Sequence, residues 1–257
     1  MAIQLVPASD RRSAVNALIK HIFDGDTTLA VLAEDSGQPS NRLLGRGPNH
    51  PIVGGEQCHP LIVATSGSTT EKPHLVCLTT EALLSSAQAT SDALGGPGRW
   101  ITTLPLSHIA GIQTVVRAAV SGHSPILAPP GHFNAKDFAR TVREARESTL
   151  PSVPLYTSLV SPQLAACLDH APEALTSLDS VLVGGGFVDL SLTERAERIG
   201  ARVIRTYGMT ETSGGCVYDG IPLDCATVKI GSDGIILIAG PMLMSGYFDE
   251  PTPLSYE

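Results

Sequence analysis

The stretch LDSVLVGGGFVDLSLTERAERIGARVIRTYG, residues 178–208, decides the fold class of this 257-residue chain. Its first apolar run, which ends in three glycines, predicts a buried strand. The run LSLTERAERIG predicts an amphipathic helix, and ARVIRTYG predicts a second strand. A strand, a helix and a strand in this order indicate neighbouring parallel strands joined by a crossover helix.

The same alternation extends towards the N-terminus, which predicts an α/β fold with mostly parallel sheets and crossover helices. Strands are predicted in HPLIVAT, RWITTLPL and SPILAPP. Helices are predicted in TEALLSSAQATSDAL, capped by Thr79 or Thr80, in AGIQTVVRAAVSG, closed by Gly122, in NAKDFARTVREAR, capped by Asn134, and in LYTSLVSPQLAACLDH, interrupted near Pro162. After Gly208 the short runs ATVKI, GSDGIILIAG and SGYFDE predict strands. We therefore expect an α/β core over residues 1–208 and a small β-rich C-terminal subdomain over residues 209–257.

Composition excludes several functional classes. The net charge is −8 and no basic tract occurs, which disfavours a nucleic-acid surface. No apolar segment has the length of a signal peptide core or a membrane span, so we expect a cytoplasmic protein that does not bind a membrane. Five scattered cysteines without CxxC spacing disfavour a disulfide framework and a zinc site, and favour small buried apolar residues.

Unusual residues follow three predicted strands, at Thr65–Thr69, Gly184–Gly186 and Tyr207–Thr212. Ligands of open α/β sheets bind beyond the carboxyl ends of the strands, so these segments predict one site. The hydroxyl-rich segment in VATSGSTTEKPHLV could wrap an anion or form an ordinary Ser/Thr turn, and it does not match a P-loop. The glycines in VLVGGGFVDL do not complete the dinucleotide-binding fingerprint, because Asp189 stands where the third glycine would be. The glycines could instead form a tight turn or allow the backbone to approach a flat ligand ring.

The stretch RTYGMTETSGG is the most informative about chemistry. Tyr207 could stack on a ring, Thr210 could donate to a phosphate, and Glu211 could hold a divalent cation by its carboxylate. A single glutamate is more commonly a solvated surface charge. Its position after a strand and before glycines favours the functional interpretation.

The segments TSGST, LPLSHIAG, GGG, YGMTET and GPMLMSGYFDE together resemble the adenylate-forming enzymes of the acyl-CoA synthetase family. The resemblance runs from about Val63 to Tyr247 and implies the fold of that family's large N-terminal domain. It implies that a carboxylate attacks the α-phosphate of ATP, that pyrophosphate leaves, and that the acyl-adenylate reacts with coenzyme A. The substrates would then be a small carboxylic acid, ATP and coenzyme A, with Mg²⁺ as cofactor.

The resemblance also implies roles for individual residues. Thr210 would contact the α-phosphate and Glu211 would hold Mg²⁺, which makes these two the expected catalytic residues. The expected ATP-binding residues are Thr65, Ser66, Gly67, Ser68, Thr69 and Lys72 at the phosphates, Gly184, Gly185, Gly186 and Tyr207 at the adenine, and Gly208, Met209 and Thr210 beside them.

The stretch LPLSHIAGIQTVVRAAVSG resembles the corresponding part of o-succinylbenzoate–CoA ligases of menaquinone biosynthesis, which carry an arginine nine positions after a histidine. Here these residues are His108 and Arg117. Gln113 and Arg117 lie four apart on a predicted helix, and an arginine on an apolar helix suits a substrate carboxylate. The alternative is that Arg117 reaches solvent. The acid would be an aryl acid bound by His108, Gln113 and Arg117, with Gly185 and Gly208 beside it.

Two departures from the family weaken the expectation of full activity. Thr70–Leu75 replaces the usual glycine-rich continuation of the phosphate loop, and Glu71 adds negative charge. The sequence ends at Glu257, before the family's ribose-binding aspartate, hinge and small C-terminal domain with a catalytic lysine. We therefore expect weak ligand binding, poor adenylation and almost no thioester formation. Alternatives are a ligase for another aryl or fatty acid and a non-catalytic nucleotide-binding module, and a homodimer stays open.

Overall fold

The structure, a computed structural model, describes residues 3–25, 27–33, 60–65 and 73–248. The helices are α1 (Arg11–Asp24), α2 (Thr80–Leu94), α3 (Ile109–Val120), α4 (Ala135–Glu147), α5 (Ser161–His170), α6 (Pro172–Thr176) and α7 (Leu190–Arg198). The strands are β1 (Ile3–Pro7), β2 (Thr28–Leu32), β3 (Leu61–Ala64), β4 (Leu75–Leu78), β5 (Arg99–Thr102), β6 (Ile126–Leu127), β7 (Leu155–Leu159), β8 (Ser180–Val183), β9 (Val203–Met209), β10 (Gly214–Tyr218), β11 (Ile221–Pro222), β12 (Thr227–Ile230), β13 (Ile236–Ala239) and β14 (Gly246–Tyr247).

Most strands form two mixed sheets. The first sheet has the order β1-β2-β3-β4-β14, with β1, β2 and β3 parallel and the last two pairings antiparallel. The second has the order β11-β10-β9-β8-β7-β5-β6, in which the five strands from β9 to β6 are parallel. Strands β8 and β9 are parallel neighbours, with Val183 opposite Arg205, and α7 connects them. The predicted α/β fold with crossover helices is confirmed.

Helix α3 lies between the two sheets and is buried on nearly all sides. Ile112, Val115 and Val116 belong to the same apolar cluster as the buried faces of β3 and β4. Ala118, on the same helix, packs in another cluster with Trp100 of β5. A helix that is apolar around its circumference belongs in a core, which explains why its few polar residues need partners inside the protein.

One predicted helix is wrong. LYTSLVSPQLAACLDH was predicted as one helix interrupted near Pro162, but Leu155–Leu159 is strand β7 and the helix begins at Ser161. All five residues of β7 are buried because the strand lies between β5 and β8 inside the sheet. Pro162 lies in the first helical turn, where its absent N–H costs nothing.

Other local predictions hold. Thr79 caps α2 by accepting a hydrogen bond from the Ala82 N–H at 3.1 Å. Asn134 caps α4 by accepting from the N–H groups of Lys136 and Asp137. Cys77, Cys167 and Cys216 are buried thiols, and burial raises the pKa of Cys167 to about 12. Cys225 is only half-buried, and Cys58 lies outside the described residues. Among the described helices, none is long and apolar enough to cross a membrane.

The strands after Gly208 are distributed over three sheets. Strands β10 and β11 extend the seven-stranded sheet, β12 and β13 form a separate hairpin, and β14 pairs with β4. Strand β9 runs through residue 208 and ends at Met209. The division into residues 1–208 and 209–257 stays a prediction.

Candidate active site

A cavity of about 110 Å³ lies where β8, β9 and β10 meet α3. Six of the predicted site residues line it, namely Gln113, Arg117, Gly184, Gly185, Gly208 and Met209. Its remaining lining comes from Leu104, Ile109, Ala110, Ser158, Leu159, Val160, Leu182, Thr206, Gly214, Gly215 and Tyr218. Strand ends that are far apart in sequence therefore converge on one enclosed space beside a buried helix.

Two of the glycines are required by strand packing. A Cβ atom on Gly184 would lie 2.3 Å from the Thr206 hydroxyl oxygen, and one on Gly208 would lie 2.0 Å from the Gly214 carbonyl oxygen. Gly185 has a φ of +76°, which disfavours a side chain. Gly186 is exposed, and a Cβ there would meet nothing within 4 Å. The observed close approach is between strands of this chain, and the adenine-binding role of these glycines stays a prediction.

Arg117 is buried, with 5% of its surface exposed, so the alternative that it reaches solvent is wrong. Its Nη2 donates to the Tyr218 hydroxyl at 3.3 Å, and its guanidinium carbon lies 5.0 Å from the centroid of the Trp100 ring. No carboxylate pairs with it among the described residues, and its Nε has no partner there. Burial lowers its pKa. An unpaired buried cation is costly, and an anionic ligand in the cavity would offset that cost.

Gln113 uses its amide nitrogen to hold backbone. Its Nε2 donates to the Ser213 carbonyl oxygen at 2.7 Å and to the Leu83 carbonyl oxygen at 3.3 Å. Its Oε1 is buried and has no hydrogen-bond partner among the residues described. The nitrogen of this side chain is thus occupied by the protein, and its oxygen is the polar atom left without a protein partner among the described residues.

A turn of 3₁₀ helix, Thr210–Thr212, carries Glu211. The Thr212 hydroxyl accepts from the Met209 N–H at 3.0 Å and donates to the Gly214 carbonyl at 2.7 Å. Ser213 follows in the left-handed region with a φ of 52°, which is uncommon for a residue other than glycine. Its hydroxyl donates to the Met242 carbonyl at 2.8 Å. These bonds hold the backbone on both sides of Glu211.

Glu211 is connected to the edge of the first sheet. Its Oε1 accepts from the Tyr247 hydroxyl at 3.1 Å, and its carbonyl accepts from the Met244 N–H at 2.8 Å. The Tyr247 ring lies 5.0 Å from the ring of His74. The backbone N–H of His74 donates to the Thr65 hydroxyl at 2.9 Å. Thr65 and Glu211 are therefore joined through two residues, whereas Ser66, Gly67, Ser68, Thr69 and Lys72 lie outside the described residues.

The remaining predicted residues lie near the cavity without lining it. His108 lies at the N-cap of α3, where partial desolvation by the surrounding protein lowers the pKa of its imidazole. Tyr207 is 43% exposed on β9, so its ring is available for stacking. Thr210 begins the turn that carries Glu211. The roles proposed for these residues stay predictions.

Sequence reasoning did not find Trp100, Tyr218, Thr90 or Ser86, which surround Arg117 or connect it to the protein. Tyr218 offered the only signal, because a tyrosine in a strand that is otherwise buried needs a partner for its hydroxyl. The identity of that partner depends on which helix packs against the strand.

Comparisons with known proteins identify the family and the fold. Residues 9–248 match the family described as AMP-binding enzyme. A protein of Mycobacterium tuberculosis named Probable 2-succinylbenzoate–CoA ligase is 42% identical over 196 residues, which are 75% of this chain and 50% of that protein. The chain spans about half the length of the curated relatives it matches.

Two solved structures show the same fold. One is o-succinylbenzoate CoA synthetase from Bacillus subtilis in complex with the acyl-adenylate intermediate, with a TM-score of 0.73, 21% identity, and coverage of 96% of this chain and 77% of that one. The other is that enzyme in complex with ATP and magnesium ion, with a TM-score of 0.65, 23% identity, and coverage of 92% and 55%.

Proposed function

Since the chain belongs to the AMP-binding enzyme family, we propose that it is the acid- and ATP-binding part of a 2-succinylbenzoate–CoA ligase. The likeness to the mycobacterial relative supports 2-succinylbenzoate as the acid and its ligation to coenzyme A as the reaction. The observation that carries the proposal is Arg117, a buried cation without a carboxylate partner among the described residues, which lines a cavity at the strand ends. A dicarboxylic acid suits this site because one carboxylate can pair with the guanidinium while the other reacts.

The reaction has two steps. An oxygen of the free carboxylate attacks the α-phosphorus of ATP, the bond to the bridging oxygen breaks, and pyrophosphate leaves with the electron pair. The thiol of coenzyme A then loses its proton to solvent and attacks the acyl carbon. The bond from that carbon to the phosphate oxygen breaks, and AMP leaves with the electron pair as the thioester forms. In this proposal Arg117 anchors the acid, Thr210 donates to the α-phosphate, and Tyr207 stacks on the adenine. Anchoring contributes by orienting the reacting carboxylate, which replaces a bimolecular encounter.

Glu211 suits a magnesium ion bound together with the phosphates of ATP. One of its carboxylate oxygens accepts from Tyr247, and the other has no partner among the described residues. Magnesium sites beside nucleotide phosphates commonly use one or two protein carboxylates. When bound, the ion would neutralise charge on the phosphates. The chain's contribution is to hold this carboxylate on a turn fixed by Thr212 and Ser213.

Ligand-dependent thermal stabilisation tests the proposal. In the presence of ATP and Mg²⁺, 2-succinylbenzoate should raise the Tm, since a ligand at one hundred times its Kd stabilises the folded state by about 2.7 kcal/mol. Arg117→Ala should lose the increment due to the acid and keep the increment due to ATP. Arg99→Ala is the control, because Arg99 is a half-buried arginine that donates to Ser148 and Thr149 and does not line the cavity.

The outcomes separate the alternatives. A full acid-dependent increment in Arg117→Ala would show that this arginine does not anchor the acid. A larger increment with a monocarboxylic aryl or fatty acid would indicate a ligase for that acid. No increment with ATP, Mg²⁺ and the acid together would indicate a non-catalytic module. Pyrophosphate release with 2-succinylbenzoate measures whether this chain turns over by itself, and weak turnover stays a prediction.

A further inference from the structure

A buried chain of hydrogen bonds leads from Arg117 into helix α2. The Arg117 Nη2 donates to the Tyr218 hydroxyl at 3.3 Å, and the Tyr218 and Thr90 hydroxyl oxygens lie 2.9 Å apart. The Thr90 hydroxyl donates to the Ser86 carbonyl oxygen at 2.9 Å. All four residues are buried, so water does not compete for these groups.

The chemistry of the groups fixes the direction of this chain. A carbonyl oxygen only accepts, so the single hydroxyl proton of Thr90 lies on the bond to Ser86. Thr90 must therefore accept from Tyr218, which uses the single proton of Tyr218. The Tyr218 oxygen is left as an acceptor towards Arg117, whose guanidinium only donates. Reversing the bond between Tyr218 and Thr90 would leave the buried Tyr218 hydroxyl proton without an acceptor in this chain of bonds.

The guanidinium is thus held from two directions. The Tyr218 oxygen fixes Nη2, and the face of Trp100 lies against the cation at 5.0 Å. The buried Nε keeps a donor without a partner among the described residues, and Arg117 lines the cavity. A guanidinium held in one orientation loses less entropy when it pairs with a planar carboxylate.

We propose that Tyr218 is a positioning residue for Arg117. Thr90 acts through Tyr218, because it accepts the Tyr218 hydroxyl proton and so leaves the Tyr218 oxygen as an acceptor towards Arg117. The free donors of Arg117 are thereby presented to a carboxylate of the substrate in the cavity. This inference rests on the proposed function. It adds that recognition of the acid depends on two hydroxyl groups that act through Arg117.

Helix α2 also connects Arg117 to the turn that carries Glu211. The Ser86 hydroxyl donates to the Ser213 carbonyl oxygen at 3.1 Å, and Gln113 donates to the same oxygen at 2.7 Å. Ser86 therefore holds Thr90 with its carbonyl and Ser213 with its side chain. Helix α2 gives the anchor of the acid and the proposed magnesium ligand a common support.

The test replaces Tyr218 by phenylalanine, which keeps the ring in its apolar cluster and removes the acceptor for Arg117. Trp100, the only tryptophan of the chain, packs against Arg117 and serves as a fluorescent reporter of acid binding. In titrations at saturating ATP and Mg²⁺, Y218F should bind 2-succinylbenzoate about tenfold more weakly, the usual effect of losing a hydrogen bond to a charged group. Its affinity for ATP should not change.

Tyr156→Phe is the matched control. Tyr156 is also buried, its ring centroid lies 5.3 Å from that of Trp100, and its hydroxyl donates to the Gly96 carbonyl. Its substitution removes one buried hydrogen bond without touching Arg117, so acid affinity should stay at the wild-type value. A second pair of variants tests the direction of the hydrogen bond between Tyr218 and Thr90. Thr90→Val, which lacks the hydroxyl, should weaken acid binding as Y218F does. Thr90→Ser, which keeps the hydroxyl, should bind the acid with the wild-type affinity.

Each of these measurements either supports or overturns the positioning role of Tyr218. Equal acid affinity in Y218F and Tyr156→Phe would overturn the positioning role, as would an equal loss of acid and ATP affinity in Y218F. If Y218F does not fold, unchanged acid binding in Thr90→Val would overturn it. A wild-type affinity in Arg117→Ala, or no binding of the acid by the wild-type chain, would overturn the proposed function together with this inference.

Discussion

At the scale of single residues, neighbouring glycines have different physical roles. Gly184 lies at the end of β8, where a Cβ atom would come within 2.3 Å of the Thr206 hydroxyl and 2.7 Å of the Thr206 carbonyl. The backbones of β8 and β9 can therefore lie this close only because residue 184 has no side chain. Gly186, two residues later, has open space around its Cβ position.

We predict that Gly184→Ala lowers the free energy of unfolding by about 1–3 kcal/mol, because the added methyl group forces β8 and β9 apart. Urea denaturation followed by Trp100 fluorescence measures this change. Gly186→Ala is the control and should stay within about 0.5 kcal/mol of wild type. Equal stability of the two variants would show that the close approach at residue 184 is relieved at no cost.

The residues that carry the site differ in how far the sequence predicts them. Arg117 could be predicted because an arginine on an apolar helix needs a partner, whatever the fold. Gln113 shares a face with it, as predicted, yet its nitrogen holds the Ser213 carbonyl, a partner 100 residues away. Tyr218 and Thr90 are 128 residues apart. Contacts over such separations are set by which helix packs on which strand, and no local pattern encodes that choice.

At the scale of elements, caps and crossover helices are predictable because their causes are local. Asn134 and Thr79 cap their helices through bonds to residues two or three positions away. The helix prediction is wrong at strand β7 because LYTSL has neither a clear helical nor a clear strand periodicity, and its position between β5 and β8 decides. Strand β14 lies in the predicted strand SGYFDE, but its partner β4 is far away in sequence and could not be predicted.

The pairing of β14 with β4 has a functional consequence. It places the Tyr247 hydroxyl 3.1 Å from Glu211, so one strand supports the proposed magnesium ligand. We predict that Tyr247→Phe lowers the affinity for Mg²⁺ in the presence of ATP by about threefold to tenfold, the usual range for one hydrogen bond. The measurement is the Mg²⁺ concentration needed for half of the ATP-dependent Tm increase.

Tyr207→Phe provides the control for this prediction. It also removes a tyrosine hydroxyl while keeping the ring, and its side chain has no hydrogen bond to Glu211. The Mg²⁺ dependence should therefore stay as in the wild-type chain. An unchanged Mg²⁺ requirement in Tyr247→Phe would mean that the bond between Tyr247 and Glu211 does not orient a magnesium ligand.

At the scale of the whole molecule, α3 joins the two large sheets. It packs against α1 and the apolar face of the first sheet on one side, and against β5 of the second sheet on the other. The same helix carries Gln113 and Arg117. The helix that binds the sheets together thus also carries the residues proposed to bind the acid, so the geometry of the candidate site depends on both sheets being folded.

We predict that the two sheets unfold together. Urea unfolding curves from Trp100 fluorescence, which reports on the second sheet, and from far-ultraviolet circular dichroism, which reports on all elements, should coincide. Ile112 is fully buried in α3, and Ile112→Ala should shift both curves equally, with a loss of about 2–5 kcal/mol. Ile236→Ala removes the same atoms from the exposed hairpin strand β13 and should shift neither. The contrary result would be a dichroism curve with two phases. If only one phase coincided with the Trp100 curve, and only that phase shifted in Ile112→Ala, then α3 would stabilise one sheet alone.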